Sequence, residues 1–154
     1  EIDSMQNLWD NYRESKITDL VINIKKNIEE DSLNYELLVS VNSTSEESKD
    51  RWYQNWSDWM DKELVDYVIV QNYNSDFYDF NYKNKILSKN SNLDKIIIGL
   101  NMYGDNNIDL ANKILSLRLK KINNISLYYY EDYKSQINWY KPIYDVLNFN
   151  ISYE

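Results

Sequence analysis

Four short apolar runs in this chain, residues 35–41, 67–70, 95–100 and 125–130, lead into side chains that can do polar chemistry. Ser40 and Asn42 close the first; Gln71, Tyr73 and Asn74 follow the second; Asn101 and Tyr103 follow the third; Tyr130 and Glu131 close the fourth. Amides and phenols both donate and accept hydrogen bonds, and an aromatic face packs on a sugar ring, so this set suits a neutral polyhydroxylated ligand. Asn is abundant throughout and there are fifteen Tyr, so composition alone leaves open that these are ordinary polar residues at strand ends. Absences narrow the chemistry further. With no His and no Cys, Ser-His-Asp and Cys-His nucleophiles, zinc sites built on those ligands, and disulfides are excluded. A reaction here runs on carboxylates, Tyr, Lys, Asn or Gln, and no cofactor or metal is called for.

The elements that must position these residues show a beat. The runs start 32, 28 and 30 residues apart, and each is followed by a polar or aromatic cluster and then by a stretch with helical spacing. Strand, loop and amphipathic helix recurring at about thirty residues is the pattern of parallel βα units, an α/β fold. In such sheets function sits where strands hand over to loops at their carboxyl ends. Four units is half the count of the closed eight-fold barrel.

Unit by unit, Ile17, Leu20, Val21, Ile24 and Ile28 draw one apolar stripe on a helix over 15–30. The run 35–41 is apolar enough for a strand buried on both faces, and a polar loop is expected over 42–49. Trp52, Trp56, Trp59 and Met60 at i, i+4, i+7 and i+8 predict a single helix ending near Leu64, its tryptophans a packed face or, alternatively, a sugar-stacking platform. A short helix is expected over 80–89. Another, over 108–121, would carry Ile108, Ala111, Leu115 and Ile122 inward. The last, over 133–147, should break or kink just before Pro142. With two Gly and one Pro in the chain, Asn and Asp are expected to make most turns. Asp105, Asn107 and Asp109 alternate like the start of a calcium loop, but Leu110 and Ser116 stand where that loop wants Gly and Glu, so a capped helix start is expected.

Composition sets the outer bounds. At 154 residues with 43% hydrophobic content, the chain is expected to be one domain, 1–154, with a packed core. A net charge of −8 points away from nucleic acid, and no apolar run is long enough for a membrane span. The start at Glu1-Ile2-Asp3 suggests a piece of a longer chain, and an extracellular or cell-envelope location is expected.

Specific segments then resemble a known family. Asp66-Tyr67-Val68-Ile69-Val70-Gln71-Asn72-Tyr73, preceded by Trp56-Ser57-Asp58-Trp59-Met60, resembles the sixth-strand segment of the glycosyl-hydrolase-like family ten of (β/α)8 barrels. Lys95-Ile96-Ile97-Ile98-Gly99-Leu100-Asn101-Met102-Tyr103-Gly104 is similar to the seventh strand of that family and of the related family 18 chitinase-type hydrolases, and Trp9, Arg13, Ile17 and Leu20 match the helix before strand five. The resemblance implies strands five to eight, the carboxyl-terminal half of a TIM barrel. It implies catalytic acids at the end of strand four, outside this chain, so that the fragment alone would be inactive. It implies a transition-state contact from Tyr73, with Gln71 holding sugar hydroxyls and Tyr103 lining the cleft. Asn42, Asn74, Asn101 and Tyr130 complete the expected substrate-binding set, and Glu131 stands where a barrel could place a second carboxylate, though a solvated charge is the plainer alternative.

Two departures shape the expectation. Leu38-Val39-Ser40-Val41 replaces the Gly-x-Ser-Pro common on strand five, and Asn74 stands where chitinase-type members carry Asp and family-ten-like members carry Trp. An oxazoline mechanism leaning on that Asp is therefore not implied. A half barrel would also leave two unpaired strand edges and an apolar inward face. A missing amino-terminal half or a second copy of the chain is the expected partner, beside carbohydrate. The rival expectation is a non-catalytic carbohydrate-binding or protein-interaction domain on the same scaffold.

Overall fold

A computed structural model describes residues 2–31, 34–42, 44–74, 76–102, 106–128 and 137–151. Among the described residues six α-helices and four strands follow one another: α1 (Ile2–Glu30), β1 (Leu38–Asn42), α2 (Ser45–Trp52), α3 (Trp56–Asp61), β2 (Tyr67–Gln71), α4 (Phe77–Leu87), β3 (Ile96–Asn101), α5 (Asn107–Leu119), β4 (Ile125–Tyr128) and α6 (Ile137–Asn148). The strands form one parallel sheet in the order β1-β2-β3-β4. By internal packing the chain divides into two compact units, Glu1–Val70 and Gln71–Glu154.

The first unit is built on Trp56, Trp59, Met60, Val65, Val68 and Val70, all buried together with Val41 and Val21. The expected single helix from Trp52 to Leu64 is two helices. Tyr53 takes a left-handed backbone, φ 58°, which ends α2, and α3 begins afresh at Trp56. Trp56 and Trp59 therefore pack inward, while Trp52 stays exposed at the end of α2. The expected loop 42–49 contains most of α2. Glu46 and Glu47 in its first turn and Lys49 and Arg51 in its last match the helix dipole, which compensates for the want of an apolar stripe.

The apolar stripe expected on α1 is not the face that packs. Of its members only Val21 is buried; Leu20 is 56% exposed and Ile24 is also exposed. Polar residues spaced along the helix dock it instead. Asp10 accepts from the Tyr53 hydroxyl (3.2 Å), Glu14 from Asn55 Nδ2 (2.6 Å) and Thr18 Oγ1 from Trp59 Nε1 (2.9 Å). Lys25 pairs with Asp66 (3.1 Å), whose Oδ2 also accepts from the Leu37 N–H (2.6 Å). Specific hydrogen bonds thus fix the rotation of α1 about its axis, a choice apolar periodicity cannot make.

β1 differs from the two-sided burial expected of it. Val41 is buried, whereas Leu38 and Ser40 on the alternate face are exposed, because only one face of this edge strand is packed.

In the second unit β3 and β4 pair in parallel, Ile98 opposite Ile125 and Asn101 opposite Tyr128. Ile96, Ile98 and Leu100 are buried with Phe80, Leu87, Leu110, Ile114, Leu117 and Ile122. The inward face of α5 is turned from the expected one: Leu110, Ile114 and Leu117 at i, i+4 and i+7 face the core with Ala111, and Ile108 is 60% exposed. Either stripe satisfies a helical period, so the period by itself does not choose between them. Asn106 caps α5, its Oδ1 accepting from the N–H groups of Ile108 (3.0 Å) and Asp109 (2.9 Å), and Asp76 caps α4 in the same way from Asp79 (2.8 Å). Helix α6 runs through Pro142 without a break. Asn107 Nδ2 donates to the Trp139 carbonyl (2.9 Å) and Arg118 to that of Val146, joining α5 to α6.

Candidate functional site

The second unit brings a pair of expected and unexpected tyrosines together at strand ends. Past the end of β2, the Asn72 N–H still donates to the Gly99 carbonyl of β3 (3.0 Å), and its side-chain Nδ2 donates to the Phe80 carbonyl on α4 (3.3 Å). Two residues later the Asn74 carbonyl accepts from Lys113 Nζ on α5 (2.8 Å). Tyr73 lies between these anchors and is 38% exposed. Its ring stacks on that of Tyr128, the last residue of β4, with centroids 5.9 Å apart and planes 20° from parallel. Tyr128 is held in turn: its carbonyl accepts from the Met102 N–H (2.7 Å), so β3 and β4 stay paired to their carboxyl ends.

Alternation along the strands places Asn101 and Tyr128, partners in register, on the face opposite Leu100 and Leu127. Leu100 is buried, whereas Asn101 is half-buried and Tyr128 exposed, so the polar residues occupy the wetter face. Gln71 and Asn74, on the segment that carries Tyr73, are also half-buried. Burial first, and the neighbouring Tyr128 second, push the Tyr73 phenol above its ordinary value. At neutral pH it is therefore a protonated hydroxyl, a donor and acceptor rather than a base. Two stacked phenols, with amides on the flanking segments, can hold sugar hydroxyls and pack against a ring; by themselves they supply no carboxylate acid or base.

Not every expected residue joins this group. Asn42 belongs to the first unit, where its N–H donates to Gln54 Oε1 (3.0 Å) and its carbonyl accepts from the buried Ser48 hydroxyl, so its main chain is fixed by what surrounds α2. Tyr103, Tyr130 and Glu131 lie outside the described residues. Tyr128, Asn72 and Lys113 were not among the residues picked out by sequence. Tyr128 carried a signal, since it falls two residues before Tyr130 in the run 125–130 expected to be a strand, where a spacing of two means one face. Lys113 carried none, because a lysine within a helix is ordinarily solvated.

The sequence model of the family described as glycosyl hydrolase-like 10 matches residues 2–110, well over half of the chain. No curated protein and no solved structure matches the chain.

Proposed function

We propose that this chain, which belongs to the glycosyl hydrolase-like 10 family, supplies the substrate-binding side of a glycoside hydrolase whose catalytic acids lie elsewhere in the full protein. On this proposal residues 1–154 are the carboxyl-terminal half of one (β/α)8 barrel domain related to family 18 chitinase-type hydrolases, β1 to β4 stand as strands five to eight, and the strand-four acids come from an amino-terminal half. The observation that carries it is the Tyr73–Tyr128 stack at the carboxyl ends of parallel strands, the place where barrels bind substrate. Tyr73 then contacts the reacting sugar through its hydroxyl, Gln71, Asn74 and Asn101 hold neighbouring hydroxyls, Tyr103 and Tyr130 extend the binding surface, and Glu131 is the second candidate carboxylate. Polysaccharide outside the cell or in its envelope is the proposed substrate. Alone, the fragment binds and does not hydrolyse.

The test is to assay the full gene product and its Tyr73→Phe variant on a panel of glycans. Turnover by the wild type and a fall in kcat/KM of roughly ten- to a hundredfold in the variant, the worth of about one hydrogen bond made in the transition state, are expected. Binding without turnover in the full gene product would favour a non-catalytic carbohydrate-binding domain instead.

A further inference from the structure

The residues on either side of Tyr73 are each held by a buried polar side chain. Asn72 is itself buried and is tied to β3 through its N–H and to α4 through Nδ2. Asn74 is held through its main-chain carbonyl by Lys113, which is 4% exposed and whose Nζ also lies 5.5 Å from the centre of the buried Phe80 ring. Burying an ammonium inside a helix face costs free energy unless the charge is hydrogen-bonded, and the apolar positions around it would be filled more cheaply by Met or Leu. Here the ammonium donates to a backbone carbonyl, a bond that any side chain at position 74 would permit, so what it fixes is the path of the chain. Phe80 serves both anchors: its carbonyl accepts from Asn72 and its ring faces Lys113.

We infer that Lys113 is a positioning residue for Tyr73: with Asn72 it clamps the segment 72–74 at both ends, so that the Tyr73 ring is presented to Tyr128 in one orientation. The clamp rests on geometry alone; only its value to a substrate rests on the proposal that Tyr73 contacts sugar. In a family of enzymes that must hold a neutral sugar by a few hydroxyl contacts, preorganising one phenol spares the entropy of ordering it when substrate arrives.

The test uses tyrosine ring signals in the NMR spectrum of this chain, assigned by Tyr73→Phe and Tyr128→Phe. In Lys113→Met the ring-current shifts of Tyr73 and Tyr128 should lose at least half their wild-type size, while the amides of Ile98 and Leu100 keep their exchange protection. Unchanged ring shifts in a protected, folded Lys113→Met variant would overturn the clamp. If that variant does not fold, the wild type decides: backbone order parameters at Tyr73 and Asn74 should match those of β3, near the rigid value of about 0.85, and values below about 0.6 would refute the inference. In the full gene product, Lys113→Met should lower kcat/KM on the glycan turned over, and combining it with Tyr73→Phe should add less than twofold further loss. If Tyr73→Phe alone changes nothing while the ring shifts respond to Lys113→Met, the sugar contact fails and the clamp stands.

Discussion

Replacing Asn84 by Leu should stabilise this protein. Asn84 lies in the middle of α4, is 0% exposed, and among the described residues neither its Nδ2 nor its Oδ1 has a hydrogen-bond partner. A buried polar group left unsatisfied costs about 1–3 kcal/mol, and this amide has two. Leucine has nearly the same volume, gains a few tenths of a kcal/mol in helix propensity, and contributes roughly 1.5–3 kcal/mol when its side chain is buried. Against this stands the shape change from a planar amide to a branched side chain, for which strain of about 1–3 kcal/mol is typical. With each gain at its lower bound and the strain at its upper, the balance is still a gain of about 1 kcal/mol, or roughly 2–4 °C in Tm for a chain of this size. Urea unfolding followed by circular dichroism should show a higher midpoint with an unchanged slope. Asn84→Ala separates the two contributions, since it removes the amide but leaves a void, and should be close to neutral. A loss of more than about 1 kcal/mol in both variants would refute the reasoning, because the amide would then be contributing to stability rather than opposing it.

Removing the cap of α5 has the opposite sign. Asn106→Ala strands the N–H groups of Ile108 and Asp109 and should cost about 1 kcal/mol in the same assay, whereas Asn106→Asp should retain most of it. At alkaline pH two phenols act together: burial pushes up Tyr73 and Tyr53, with Tyr128 and Asp10 respectively as lesser causes. Because their folded values lie above the unfolded one, the stability they contribute is present below about pH 10 and is lost as pH rises through that value toward the raised ones. Urea midpoints measured from pH 8 to 11 should fall above about pH 10, and Tyr73→Phe should flatten that fall.

The period of the chain made the sheet legible, and the rotations of its helices were not. Strands β2, β3 and β4 lie within a residue or two of the runs that announced them, because a short apolar run bounded by polar turns has few other ways to bury itself. Helices α1 and α5 each offered two plausible faces. On α5 the stripe through Leu110, Ile114 and Leu117 prevailed over the one through Ile108 and Leu115. On α1 the decision passed to Asp10, Glu14, Thr18 and Lys25, whose partners at Tyr53, Asn55, Trp59 and Asp66 are 41 to 43 residues away. No local pattern announces such pairs. Helix α2 was readable in principle from its charge order, acids first and bases last, but its lack of an apolar face made it look like a loop.

The candidate site divides along the same line. Gln71, Tyr73, Asn74 and Asn101 could be named from sequence because strand ends in a parallel sheet point to a common edge, whatever packs beneath them. Asn72 and Lys113 could not, since their importance lies in what they touch. Asn72 reaches Gly99 and Phe80, and Lys113 reaches Asn74 and the Phe80 ring. On the proposed function, the residues that would meet a ligand are marked by type and position along the strand, whereas those that would hold them in place are marked only by burial against chemical type. A lysine at 4% exposure and an asparagine at 3% are improbable occupants of a core; the asparagine begins the three-residue segment that carries the exposed phenol, and the lysine binds its end. Their cost is intelligible if the orientation of Tyr73 is what the protein must keep.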